Sequence, residues 1–562
     1  MRANASTETL VSMFCHRAAV DADRVAFLYP VGGKFQELTW GQLQDRAGQV
    51  ALRLARMGVQ KGDRVVQVAD NSPEWLICDL GIMMAGGVHV PLHSMLSGPQ
   101  ILEQILDSGA KIVLLSDDQQ AKKLRKLAAQ IPQDVQLWTH QRCSWWLRRR
   151  LPLQEFFGNE PAGSRADVAH LQQDILSSLG PEDLATIMYT SGTTGEPKGV
   201  MLSHGNLVFD TQGTLEAFGS LEEELRLSFL PWSHIFARTC DLYTWIASGS
   251  RLAIVESREK IIDNCADLKP TLINSVPYFY ERVYRGAAAK GALEKPRVAR
   301  RVLGGRIRLC CSGGAALPVH VAEWFQRQDV AVIEGYGLTE TSPVITMCTP
   351  EAYEIGSVGR PLSGVEVRIA DDGEILTRGP HVMQGYYNKP AATAEVIRDG
   401  WLYTGDLGEL DDAGFLRITG RKKEIIVLAT GKNVAPVAVE SRLTQDPLII
   451  QAVVIGDQRN YLVALIVPDP DALKAEISRR GIRVYTRHQA LNHPEVLDLY
   501  KGLIQQQLAT LSSIEQVAKF KLLDRGFTME TGEMTPTLKL RRELISANFA
   551  EVIDEMYTDI SA

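Results

Sequence analysis

Tyr189, Thr190, Ser191, Gly192, Thr193, Thr194, Gly195, Glu196, Pro197 and Lys198 put hydroxyls and glycines into one short loop that closes on a cation. Gly192, Gly195 and Gly199 permit close backbone approach and positive φ, so successive amide groups can converge on an anion. Ser191, Thr193 and Thr194 add hydroxyl donors, and Lys198 adds charge for a polyphosphate. The spacing is not that of a Walker A motif, because Lys198 is followed by Gly199 and not by serine or threonine. The chemistry indicated is triphosphate binding outside that class. An ordinary surface loop can have similar composition, but the density of hydroxyls beside a lysine favours the phosphate reading.

A phosphate loop needs a rigid element behind it, and residues 185–189 supply a buried-strand pattern. The first four hundred residues alternate short apolar strands with helical segments, which predicts α/β layering. Residues 64–68 and 111–115 read as strands, and Pro73 opens a helix behind Asn71 and Ser72. Residues 308–311 form another strand, followed by small residues: Ser312, Gly313, Gly314 and Ala315. From Val365 the texture changes to hairpins, with turns at residues 371–373 and 411–414. Beyond Gly420 a small α+β unit follows. Its strands are expected at 451–455 and 461–467, and its helix from Asn492 with Leu497, Tyr500, Ile504, Leu508 and Leu511 at helical spacing. The fold class is therefore α/β: a large N-terminal layered α/β domain with a β-rich subdomain, hinged to a small α+β C-terminal domain. The divisions are residues 1–420, 421–423 and 424–562.

Bulk properties exclude several alternatives. A chain of 562 residues is too long for one core. With 45% apolar and 23% charged residues the composition is that of a globular protein, and a net charge of −7 leaves no general nucleic-acid footprint. The eight cysteines show no C-x-x-C pair and no zinc-ligand spacing, which suits a reducing cytosol. Neither a membrane-spanning apolar run nor the apolar segment of a signal peptide is expected. A cytoplasmic location follows.

Further segments follow the loop in order: Gly335, Tyr336, Gly337, Leu338, Thr339, Glu340 and Thr341; Tyr403, Thr404, Gly405 and Asp406; Gly420, Arg421, Lys422, Lys423 and Glu424. Together they resemble the adenylate-forming superfamily of acyl-CoA synthetases, luciferases and peptide-synthetase adenylation domains, from about Thr39 to about Ile545. Residues 231–238, beginning Pro231, Trp232, Ser233 and His234, and residues 535–541, containing Lys539, resemble the long-chain fatty acyl-CoA synthetase branch.

The resemblance implies an AMP-forming ligase that uses ATP, Mg²⁺ and CoA to convert a fatty acid to acyl-CoA through an acyl-adenylate. It assigns the β- and γ-phosphates to Thr190, Ser191, Gly192, Thr193, Thr194, Gly195 and Lys198, and the metal to Thr190 and Glu340. Gly313, Gly314 and Ala315 would lie along adenine, Tyr336 would stack on its other face, and Gly335 and Gly337 would let substrate approach the backbone near Thr339. Asp406 would accept both ribose hydroxyls, supported by Arg421. Lys539 would bridge the attacking carboxylate and the α-phosphate, charge present mainly in the transition state. His234 would stand near the acyl pocket and thiol path, whereas His204 is expected to be structural. Lys423 would be the hinge about which the C-terminal domain turns, exchanging Lys539 for Gly431, Lys432 and Asn433 along the pantetheine path.

Residues 275–282 and 330–333 are expected to supply apolar wall for the acyl chain. A fatty acyl-AMP ligase loading a carrier protein, a ligase for medium-chain or aromatic acids, and a nucleotide-binding regulator without catalysis are the alternatives. The presence of Lys198, Glu340, Asp406, Arg421 and Lys539 weighs against the last. Trp145, Trp146, Arg148, Arg149 and Arg150 also suggest peripheral membrane contact, because indoles favour the headgroup boundary and arginines an anionic surface. The plain alternative is that the tryptophans pack inward and the arginines are solvated.

Overall fold

The computed structural model describes residues 8–158, 161–191, 196–219, 223–528, 530–534 and 540–558. Runs of valine, isoleucine and leucine form central strands covered on both faces, as parallel sheets require. Arg64–Val68 lies between Val88–Leu92 and Ile112–Leu115, all parallel. This sheet, eight-stranded among the described residues, continues through Leu184–Ser191 and Pro197–Ser203 to the short strand Gly385–Tyr386. A second sheet, nine-stranded among the described residues, contains the parallel run Leu272–Ser275, Leu309–Ser312 and Ala331–Gly337, then turns antiparallel at Val344–Met347. Trp40, Trp75, Trp232 and Trp245 are fully buried in the main core, where the Trp40 and Trp245 rings stack at 4.4 Å.

The expected hairpin region is a third sheet, five-stranded among the described residues. Glu366–Ile369 pairs with Glu374–Arg378, and Trp401–Leu410 pairs with Leu416–Arg421. A 3-10 turn, Lys422–Glu424, leads on to a smaller unit. There Ile449–Ile455 and Leu462–Pro468 are antiparallel, Val517–Leu522 joins parallel, and the helices Pro436–Leu443 and Pro494–Leu508 share its core. The helix expected from Asn492 starts at Pro494, because proline without an amide hydrogen is suited to the first helical position. It ends at Leu508, so Leu511 lies beyond it. No helix among the described residues is long and apolar enough to cross a membrane.

Candidate active site

The two strands that flank the hydroxyl-rich segment pair with each other. Leu184–Ser191 and Pro197–Ser203 pair antiparallel, with Thr190 opposite Lys198. Gly192, Thr193, Thr194, Gly195 and the side chain of Ser191 lie outside the described residues. Gly199 belongs to the returning strand, where a Cβ would come within 2.7 Å of the Ile187 side chain. Its missing side chain thus serves packing and not the loop. The strand Gly385–Tyr386 pairs with Val200 and Met201, setting the Tyr386 ring 4.9 Å beneath the Lys198 ammonium. The Tyr386 hydroxyl donates to Glu340 Oε1 at 2.8 Å. Burial and the neighbouring carboxylate push this phenol up, so it remains a protonated donor. Tyr386 therefore couples the lysine and the glutamate. No spacing rule marked it; the sole cue was an aromatic after Gly385 on a strand too short to read.

A second group forms where the β-rich sheet meets the nine-stranded one. Register places Asp406 opposite Arg421, with Arg421 Nε 3.1 Å from Asp406 Oδ1. The Tyr336 hydroxyl donates to Oδ2 at 2.8 Å, and burial beside the carboxylate raises the Tyr336 pKa. Both oxygens of Asp406 are engaged and held in place. Gly335, Gly337, Thr339, Gly313 and Gly314 share the same cavity wall, but Ala315 is exposed and off it. The reason for glycine at 337 also differs from expectation. A Cβ there would stand 1.6 Å from the Pro343 carbonyl oxygen, so the crossing backbone itself excludes a side chain.

His234 also lines the cavity and caps a short turn, its Nδ1 accepting the Phe236 amide at 3.3 Å. Beside it lies His93, with ring centroids 6.5 Å apart. His93 Nδ1 is 2.7 Å from Ser233 Oγ, and burial lowers its pKa to about 4, leaving it neutral near neutral pH. Phe236, Cys240, Cys311, Ile333 and Met347 supply apolar lining to the same cavity. The expected acyl wall at 275–282 and 330–333 is mostly corrected: only Ile333 of those residues faces the cavity. The helix Pro277–Ala289 instead buries Phe279, Tyr280 and Val283 against Trp324 and Phe325, and leaves Tyr278 54% exposed. His204 is buried within its helix, with its pKa lowered to about 4 by burial.

These groups surround a cavity of about 1450 Å³ that the C-terminal unit helps to close. Lys422 and Lys423 reach it from the connecting turn, and Gly532, Met534, Leu540 and Arg541 from farther along the chain. Lys539 lies outside the described residues, between Met534 and Leu540, which form a β-bridge. Arg542, just beyond, donates to Glu440 at 2.5 and 2.9 Å. Gly431, Lys432 and Asn433 are exposed and not on the cavity wall: the first two lie in the turn after Ile426–Val427, and Asn433 opens the strand Asn433–Val434. Glycine at 431 answers to φ of +77°, which side chains disfavour.

The pattern described as AMP-binding enzyme matches residues 14–387, and that described as AMP-binding enzyme C-terminal domain matches residues 423–561. The chain belongs to the AMP-binding enzyme family. Its relatives include a protein of Mycobacterium bovis named long-chain-fatty-acid–CoA ligase FadD15. It is 33% identical over 600 aligned positions, covering 98% of this chain and 97% of the relative. Long chain acyl-CoA synthetase 7, peroxisomal, of Arabidopsis thaliana is 30% identical, over 94% of this chain and 83% of that protein. Among solved structures, the anthranilate CoA ligase AuaEII in complex with anthranoyl-AMP shares the fold with a TM-score of 0.77 at 20% identity, over 97% of this chain and 98% of that one. The described residues thus line one cavity with Thr190, Lys198, Glu340, Tyr386, Tyr336 and Arg421, with Asp406 buried behind Tyr336 and Arg421 and off the wall, and leave Ala315 and the Gly431 turn outside it.

Proposed function

We propose that this chain is an AMP-forming ligase that joins a fatty acid to CoA through an acyl-adenylate. The observation that carries this reading is one cavity lined by Lys198, Glu340 and Arg421 together with the apolar side chains of Phe236, Ile333 and Met347. In the first step a carboxylate oxygen attacks the α-phosphorus of ATP, the bond to the bridging oxygen breaks, and pyrophosphate leaves. Lys198 and the hairpin hold the departing phosphates, Asp406 and Arg421 fix the ribose, and Tyr336, Gly313 and Gly314 flank the base. Lys539 steadies the charge that grows between carboxylate and phosphate, as preorganised donors do. Thr190 and Glu340 both face the cavity and offer hard oxygen donors, a set that fits Mg²⁺ alongside phosphate oxygens and water. When bound, the ion would neutralise phosphate charge there.

In the second step the CoA sulfur attacks the acyl carbon, the bond to the phosphate oxygen breaks, and AMP leaves. We assign residues 1–420 to the nucleotide and acyl site, 421–423 to a hinge centred on Lys423, and 424–562 to a mobile domain. Its other orientation would bring Gly431, Lys432 and Asn433 toward the thiol. His234 and His93 line the same cavity beside Phe236 and would adjoin the acyl group when the thiol arrives. Cytoplasmic placement, with peripheral membrane contact through Trp145 and Arg148–Arg150, belongs to the same reading. ATP–pyrophosphate exchange with octanoate, palmitate, oleate and benzoate tests it. Exchange should be strongest with the long-chain acids, and thioester should form on adding CoA. Exchange with benzoate alone, or thioester only on a carrier protein, would replace the assignment.

A further inference from the structure

Two family patterns meet across a boundary that one arginine spans. Arg285 lies on the helix Pro277–Ala289, which starts directly after the strand Leu272–Ser275 at the cavity floor, where Asn274 lines the wall. Its buried neighbours Phe279, Tyr280 and Val283 fix the helix in the N-terminal core. Arg285 Nη2 donates to the Ile449 carbonyl oxygen at 3.1 Å, and Nη1 stands 3.7 Å from Asp469 Oδ2. Glu281, one turn earlier, holds the same guanidinium at 3.8 Å. Arg285 falls within the first matched region, and Ile449 and Asp469 within the second.

The receiving side is built for this contact. The ladder partner of Ile449 is Pro468, which has no amide hydrogen to give. Asp469 uses its other oxygen, Oδ1, to cap the helix Pro470–Arg480, accepting the amides of Asp471 and Ala472 at 3.0 and 2.9 Å. Oδ2 is left to face Arg285. A guanidinium suits such a site, because its planar fork can serve a carbonyl and a carboxylate together. In this same arrangement Met534 and Leu540, which bracket Lys539, line the cavity while the Gly431 turn does not.

We propose that Arg285 is a positioning residue, a latch that holds the C-terminal unit in the orientation used for adenylation. It touches no reacting atom. It favours one of two orientations, and must release before the thiol step. The inference rests on the two-step reading above. A latch contact shifts the balance only by its difference between the orientations. Loss of one charge-assisted hydrogen bond corresponds to roughly a 10-fold change.

The test measures the two half-reactions separately in Arg285→Ala, Arg285→Lys and Asp469→Asn, the last preserving a side-chain oxygen for the helix cap. Arg285→Ala should slow acyl-adenylate formation roughly 10-fold while thioester formation from supplied acyl-AMP and CoA stays equal or rises. Arg285→Lys should recover part of the loss, and Asp469→Asn should act in the same direction more weakly. Adenylation unchanged in Arg285→Ala, or both half-reactions falling together, would overturn the latch while wild-type exchange leaves the two-step reading intact. Absence of exchange in the wild type with every acid would instead overturn that reading, and the latch with it.

Discussion

At the scale of single residues, the site depends on side chains that hold one another before any ligand arrives. Tyr386 uses its ring for Lys198 and its hydroxyl for Glu340. Removing the hydroxyl leaves a carboxylate short of a donor, which costs more than a neutral hydrogen bond. Tyr386→Phe should therefore weaken ATP-dependent exchange by roughly 10-fold, the worth of a hydrogen bond to a charged group. Tyr386→Leu should lose more, because the cation–π contact goes as well, about 0.5–2 kcal/mol. Steady-state exchange at varied ATP measures both. Equal, wild-type behaviour of the two variants would show that Lys198 and Glu340 are positioned without Tyr386.

At the scale of elements, the strand register does the placing. Pairing Thr190 with Lys198 brings both to the cavity from two strands, and pairing Asp406 with Arg421 sets the carboxylate behind the arginine that lines it. The segment bracketing Lys539 arrives differently, from a separate unit that meets the cavity through Gly532, Met534, Leu540 and Arg541. A group delivered by a separable element can act in one step and be absent from the next. Lys539→Ala should accordingly lower acyl-adenylate formation by roughly 10²–10³-fold, as for loss of one preorganised donor. Conversion of supplied acyl-AMP and CoA to thioester should continue. Rapid-quench measurement of each half-reaction distinguishes this from a general loss, and equal loss in both would remove the division of labour.

At the scale of the whole molecule, the question is how an acid with a long apolar chain reaches an acidic protein. The two tryptophans expected to act together separate in the fold. Trp146 packs against a core cluster with Lys122 and Arg125 over its ring at 5.6 and 5.8 Å, whereas Trp145 is 63% exposed with Arg149 at 4.8 Å. Arg148, Arg149 and Arg150 are all exposed. Three such charges near an anionic surface contribute about 3 kcal/mol, a salt-sensitive attachment. Trp145→Ala should thus reduce sedimentation with anionic vesicles without lowering the melting temperature, whereas Trp146→Ala should lower that temperature. Vesicle binding that is absent, or untouched by Trp145→Ala, would return the segment to ordinary surface.

The sequence alone determined the α/β layering, the change to hairpins after Val365 and the small C-terminal α+β unit, and it brought forward Lys198, Glu340 and Arg421, which line one cavity. These are local signals: periodicity, turn chemistry and short runs of particular residue types. Tertiary structure alone decided what crosses long distances along the chain. Tyr386 reaches Glu340 from 46 residues away, Tyr336 reaches Asp406 from 70, and Arg285 reaches Ile449 from 164. It also decided that glycine at 337 answers to Pro343, that the helix after Val276 turns its apolar face from the cavity, and that Ala315 stands off the wall. A pattern of residue types specifies which face of an element is apolar. Which neighbour covers that face, and which backbone crosses close to a given glycine, depends on packing among segments that no local spacing connects.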